Sequence, residues 1–207
     1  MTPTVSASAY DAARHRAARI DRSDRGRIVV SGVDRASYLQ GLLTNDIVAL
    51  AAGQGCYAAY LTAQGRMIAD LHVYELGDVI VLTMAGDVKG AVMAKLDQFI
   101  FGEDVQLGDV TDTFAQIAVV GPEAARVVAN VISGVTAATL ASLPEHGNVR
   151  AQWAGGAAIA VRVSDTGQPG FDLFVERPRA EELKAALSAI DVAPIDAATA
   201  EAIRIES

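Results

Sequence analysis

Residues 37–75 read SYLQGLLTNDIVALAAGQGCYAAYLTAQGRMIADLHVYE, and this stretch decides the fold. A helix closes on Leu39-Gln40-Gly41-Leu42-Leu43, and a polar corner, Thr44-Asn45-Asp46, follows it. Gly53 and Gly55 then form an elbow that feeds two strands, Tyr57–Thr62 and Met67–Tyr74, joined by Ala63-Gln64-Gly65-Arg66. The corner presents an amide beside a carboxylate, and the second strand carries Asp70 between apolar neighbours. Asn45 and Asp70 therefore flank the same helix-to-hairpin junction.

Working outward toward the N-terminus, Arg27–Ser31 is a short strand rich in β-branched residues. Gly32 ends it, and Asp34 is placed to cap the helix that runs to Leu43. Ala7–Ile20 is predicted helical, with Tyr10, Ala13 and Ala17 on one face. Toward the C-terminus, Gly77-Asp78 marks a turn, and Val79–Met84 is apolar throughout, as a strand buried on both faces would be. Asp87 is positioned to cap the next helix, where Val88, Ala91, Val92, Lys95, Leu96, Phe99 and Ile100 make a stripe at helical spacing. Val105–Leu107 closes a β-β-β-α-β segment. Phe114–Val120 is the next strand. Gly121-Pro122 opens a helix with proline at its first position, and a second short helix lies within Ser133–Leu143. Arg150–Trp153, Ala157–Val163 and Phe171–Val175 are strands, with a loop at 165–170, and Arg179–Ile190 and Ala197–Ile205 are helices.

The chain has 207 residues, enough for one large or two small domains. Apolar residues make up 51% of it, yet no run is long enough to span a bilayer. The formal charge is −8 with no basic block, which argues against nucleic acid as a partner. Met1–Ser6 lacks the charged and apolar regions of a secretory leader, and the single Cys56 permits no intrachain disulfide, so a reducing cytoplasm is expected. His15, His72 and His146 have no metal-ligand spacing, and no metal is expected. The glycines at 53, 55, 65 and 170 make no phosphate-loop pattern, and Trp153 reads as core.

Leu39–Asp46, then Tyr57–Arg66, then an aspartate in the following strand resemble the folate-binding superfamily of the glycine-cleavage T-protein. The resemblance is greatest to its YgfZ-like branch, linked to iron–sulfur protein assembly and repair, and runs from about Gly26 to the last residue. It implies an α+β fold: a discontinuous main domain of antiparallel sheet and helices, residues 1–52 and 112–207, with a small ferredoxin-like α+β domain, residues 53–111, inserted in it. It implies tetrahydrofolate or a related reduced folate as ligand, bound where the insert meets its host, and iron–sulfur assembly proteins as partners. Relatives continue beyond Glu206 with Gly-x-Pro and a further domain that carries a signature cysteine, so a shortened chain is expected here.

The same resemblance assigns site residues. Gly170-Phe171-Asp172-Leu173 stands where the family has Gly-x-Glu-hydrophobic, so Asp172 is the expected pterin ligand, one methylene shorter than the family's glutamate. A carboxylate accepts hydrogen bonds from a pterin's amino group and ring N–H. On spacing alone Asp172 is an exposed strand residue, because Phe171 and Leu173 point the other way. Asn45, Asp70, Phe171 and Arg204 are expected around the ligand. Read alone, Asn45 and Asp46 end a helix, Asp70 pairs with a local donor such as Arg66, and Arg204 is a solvated helix residue or pairs with Glu206. Two departures stand out. Ala69 replaces the first of the family's paired aspartates, the one beside the reacting folate nitrogen, and Ala200 replaces a folate-binding arginine. A methyl group neither relays a proton nor stabilises a developing cation. Gly55-Cys56-Tyr57 matches only a fragment of the branch's cysteine signature, and Cys56 reads as a semi-buried strand residue. The resemblance therefore favours a folate-binding protein of iron–sulfur assembly or repair. The alternatives are an aminomethyltransferase of one-carbon metabolism and a non-catalytic binding module. No catalytic residue is assigned.

Overall fold

The computed structural model describes residues 7–206, and the leader reading of residues 1–6 lies outside them. In chain order the elements are α1 (Ala7–His15), β1 (Ala18–Asp21), β2 (Gly26–Ser31), α2 (Arg35–Gln40), β3 (Gly55–Leu61), β4 (Met67–Glu75), β5 (Ile80–Met84), α3 (Lys89–Asp97) and β6 (Gln106–Asp109). Then come β7 (Phe114–Val120), α4 (Ala124–Val131), α5 (Ala137–Ser142), β8 (Asn148–Trp153), β9 (Gly156–Val163), β10 (Gly170–Glu176), α6 (Ala180–Ala189), β11 (Ala193–Pro194) and α7 (Ala197–Ile205). They form two units. One comprises the chain up to Arg22, Phe114–Glu145 and the chain from Val149 onward; the other comprises Ser23–Thr113 with His146–Asn148.

The first unit is built on a sheet of order β11-β1-β7-β10-β9-β8. Strand β7 is antiparallel to β1 on one side and to β10 on the other. Its sequence, FAQIAVV, is apolar on both faces because both are covered. Ala115, Ile117 and Val119 pack with Val127 and Val128 of α4 and Leu183 and Leu187 of α6. Ala118 and Val120 pack on the other face with Ala9 and Ala13 of α1 and Ile203 of α7. Gln116, 1% exposed, is the one polar interruption of β7.

The second unit is a five-stranded antiparallel sheet of order β3-β4-β5-β2-β6. Alternate residues, among them Cys56, Ala58, Tyr60, Ala69, Leu71 and Val73, form its core with Leu39 of α2 and Val92 and Leu96 of α3. The β-β-β-α-β run expected over residues 57–107 is present as β3, β4, β5, α3 and β6. All of β5 is buried.

Several expectations change. The first helix stops at His15, and residues 18–21 form β1, because Ala18 and Ile20 are buried alternately and pair with β7. Strand β11, two residues long, carries too little pattern to be read from sequence. The division falls after Arg22 rather than after residue 52, because β2 hydrogen-bonds between β5 and β6. In α3 only Val92 and Leu96 are buried, Val88 rather than Asp87 holds the N-cap position, and Phe99 lies 47% exposed just past the helix. Asp34 does occupy the N-cap of α2, but its carboxylate accepts from the Asp104 N–H at 2.9 Å instead of from the helix.

Gly121 joins β7 to α4 at φ +124°, and an added Cβ would lie 2.6 Å from the Arg16 carbonyl oxygen and 2.8 Å from that of Ala13. No side chain fits there without moving backbone. Gly65, at φ +77° in the β3–β4 hairpin, has open space around it. We therefore expect Gly121→Ala to cost about 3 kcal/mol or more and Gly65→Ala about 1 kcal/mol, measured by urea unfolding of each variant.

Candidate functional site

The site in the first unit begins with Asp172. In β10 it lies opposite Ala118 of β7 and Val161 of β9, at the centre of the sheet. Its neighbours Phe171 and Leu173 enter the core shared with α4 and α6, so alternation sends Asp172 to the other face. That face is closed to water, and Asp172 is 2% exposed rather than the exposed strand residue that spacing alone predicts. An ionised carboxylate so buried must find donors. Gln116 Nε2 donates to Oδ2 at 2.7 Å. Arg22 Nη1 lies 3.1 Å from Oδ1 and 3.3 Å from Oδ2.

Arg22 is placed by the sheet. It follows the last residue of β1, and its backbone N–H donates to the Gln116 carbonyl at 2.9 Å. This extends the β1–β7 ladder by one step and brings Arg22 alongside Gln116. The same Nη1 also reaches Asp165 Oδ2 at 3.0 Å, in the loop before β10. Arg22 thus stands between an interior carboxylate, 3% exposed at the side chain, and one near the surface, 31% exposed. Sequence reasoning missed Arg22, Gln116 and Asp165. The only legible signal was a glutamine inside an apolar strand.

Phe171 is 1% exposed in the core, with the Arg162 guanidinium 5.9 Å from its ring centre. It is on the opposite face of the sheet from Asp172. Arg204 lies on α7, where Nε and Nη2 bond Glu201 at 2.8 and 2.6 Å, both side chains more than half exposed. Glu206, the alternative partner, accepts instead from the Tyr10 hydroxyl.

In the second unit, Asn45 Nδ2 donates to the Tyr57 carbonyl at 2.8 Å, and its Oδ1 accepts from the Asp46 N–H at 2.8 Å. This is the local turn bonding expected of asparagine at a helix end. Asp70 accepts from the Tyr57 hydroxyl at 2.9 Å, so its partner lies across the hairpin and is not Arg66. That hydrogen bond also pushes the Tyr57 hydroxyl pKa up, with burial adding to it. His72, two residues on, has its ring 5.4 Å from that of Tyr57 and 5.0 Å from that of His146. Sequence distance hid this histidine contact. Among the described residues no three metal-ligating side chains are grouped to hold an ion. Ala69, where the resemblance has its first aspartate, is 5% exposed in the unit's core. Cys56 is buried, and burial, reinforced by the Asp46 charge, pushes its thiol pKa up.

The arrangement supplies one desolvated, acceptor-only carboxylate, Asp172, held by a cation and an amide that compete with any incoming donor. It suits a neutral ligand presenting adjacent N–H groups better than an anion. Among the described residues no helix is long and apolar enough to cross a membrane.

The family described as the GCVT N-terminal domain matches residues 3–207. An aminomethyltransferase of Rubrobacter xylanophilus is 29% identical over 198 residues, covering 96% of this chain and 52% of the relative. One from Exiguobacterium sibiricum is 32% identical over 200 residues, with 96% and 54% covered. The chain spans about half the length of these curated relatives. The crystal structure of the glycine cleavage system aminomethyltransferase T from Bartonella henselae superposes with a TM-score of 0.84 at 23% identity, covering 96% of this chain and 53% of that one. The α+β fold of antiparallel sheets and helices is the fold of that structure. A heterotetrameric sarcosine oxidase from Corynebacterium sp. U-96 superposes with a TM-score of 0.60 at 15% identity, over 88% of this chain and 91% of that one.

Two outcomes test the site. Arg22→Met strands a buried carboxylate and should cost about 3–5 kcal/mol. Asp172→Asn leaves Arg22 its Asp165 partner and should cost less, about 1–3 kcal/mol; urea unfolding checks the order. Cys56 should react with a thiol reagent such as DTNB far more slowly in the folded protein than in urea, because the thiolate is both disfavoured and covered.

Proposed function

Because the chain belongs to the GCVT N-terminal domain family, we propose that it binds a reduced folate, tetrahydrofolate or a close derivative, with Asp172 as the acceptor for the pterin's amino and ring N–H groups. The observation that carries this reading is the buried Asp172 carboxylate at the centre of the sheet, a place where an apolar residue packs without needing compensation. The reading rests on Asp172 alone. Phe171 is committed to the core and Arg204 to Glu201. The pterin supplies neutral N–H donors, and the chain supplies the negative acceptor and excludes water around it.

The setting we propose is iron–sulfur protein assembly or repair, as the YgfZ-like resemblance implies. Ala69 and Ala200 favour it over aminomethyl transfer. Ala69 offers a core methyl where proton handling and cation stabilisation need a carboxylate. The curated relatives are named aminomethyltransferases, and that supports the second reading, transfer of the aminomethyl carbon to folate with its nitrogen released as ammonia.

Calorimetric titration with tetrahydrofolate tests the first reading. Binding in the micromolar range, weakened at least about tenfold in a folded Asp172→Ala variant, is expected. Equal binding by that variant contradicts it. Tetrahydrofolate-dependent release of ammonia from an aminomethylated lipoyl carrier would favour the second reading, and none is expected.

A further inference from the structure

Arg22 Nη1 carries two hydrogens and has three carboxylate oxygens within reach, at 3.0 Å on Asp165 and at 3.1 and 3.3 Å on Asp172. Those hydrogens are shared, so each bond is weaker than one formed head-on. The two acceptors differ in setting. Asp172 is fixed in the ladder between β7 and β9. Asp165 lies in the loop that leads into β10, which turns at Gly167, φ +73°. Pulling a guanidinium off a buried carboxylate is ordinarily prohibitive, because it leaves both charges uncompensated. Here a second carboxylate already touches the departing nitrogen.

We propose that Arg22 is a positioning residue that exchanges partners: it holds the Asp172 carboxylate when no ligand is bound and transfers to Asp165 when ligand N–H donors take Asp172. This rests on the folate reading given above and adds a role for two residues outside it. The exchange leaves the net charge of the three side chains unchanged and leaves Asp172 hydrogen-bonded, though without a cation. Before it, one cation is shared by two carboxylates. After it, Arg22 pairs with Asp165, and the donors of a neutral ring satisfy Asp172 together with Gln116, whose 2.7 Å bond stays in place. It also gives selectivity. A ligand must offer enough donors to replace a guanidinium, so a ring lacking the amino group does not displace it. An anionic group is excluded by Asp172 itself.

The test uses the whole chain, with 5-formyltetrahydrofolate as the probe in calorimetry and the Arg22 Nε–Hε signal followed by NMR. Asp165→Asn removes the second partner's charge and leaves only a neutral acceptor. It should weaken binding about tenfold, the scale of one charge-assisted hydrogen bond. The ligand-induced shift of the Arg22 signal, present in the wild type, should shrink. Asp165→Glu should restore affinity to within about twofold, since it restores the charge, and Asp165→Ser serves in place of the asparagine variant if that one does not fold. If the wild type binds the probe and both neutral variants bind it equally well, with the Arg22 signal moving as before, partner exchange is overturned while the folate reading stands. If the wild type does not bind the probe, the folate reading fails, and this proposal fails with it.

Discussion

A carboxylate set in the middle of a covered sheet must be neutralised by groups that the sheet itself delivers. Asp172 meets that requirement through its neighbours on one face, Gln116 of β7 and Arg22 at the end of β1. Strand order makes this possible: β7 lies between β1 and β10, so a donor from each of two adjacent strands converges on one acid. The alternative, an apolar residue at position 172, would need neither partner and would match Ala118 and Val161 beside it. Buried ion pairs seldom add stability over well-packed apolar groups. Folding stability alone therefore does not account for a carboxylate at this position.

The same constraint separates Asp172 from the other candidate residues, whose side chains are committed to local partners or to the core. Phe171 supplies core area next to Leu173 and Val175. Asn45 closes a turn through Tyr57 and Asp46. Arg204 is neutralised by Glu201 one helical turn away. Asp70 holds the Tyr57 hydroxyl. Asp172 differs because its principal partner is shared with a second acid.

Much of the fold was legible in residue pattern. Strand β5 is legible as an apolar run after the Gly77-Asp78 turn; the structure adds the cap of α7, where the Asp196 carboxylate accepts from the Thr199 N–H at 2.8 Å. Strand β1 is not legible, since Ala18-Arg19-Ile20 falls within the helix expected over Ala7–Ile20 and only pairing with β7 makes it a strand. The place of β2 was hidden for a related reason: which sheet a strand joins depends on partners more than 50 residues away, such as Met84 opposite Gly26. Of the site, Asp172 was legible only through its resemblance to a family motif. Arg22 lies just past β1 in a run of charged residues, and nothing in its spacing points to an acid 150 residues later. Side chains that meet across a sheet leave no local periodicity.

The central claim is that Asp172 receives a reduced pterin and that the chain is built around keeping that acid compensated. A crystal structure of the protein with 5-formyltetrahydrofolate tests it most directly. The account predicts pterin amino and ring nitrogens within hydrogen-bonding distance of both Asp172 oxygens, Gln116 unmoved, and Arg22 paired with Asp165 alone. A folate bound elsewhere, with Arg22 still seated on Asp172, would contradict it.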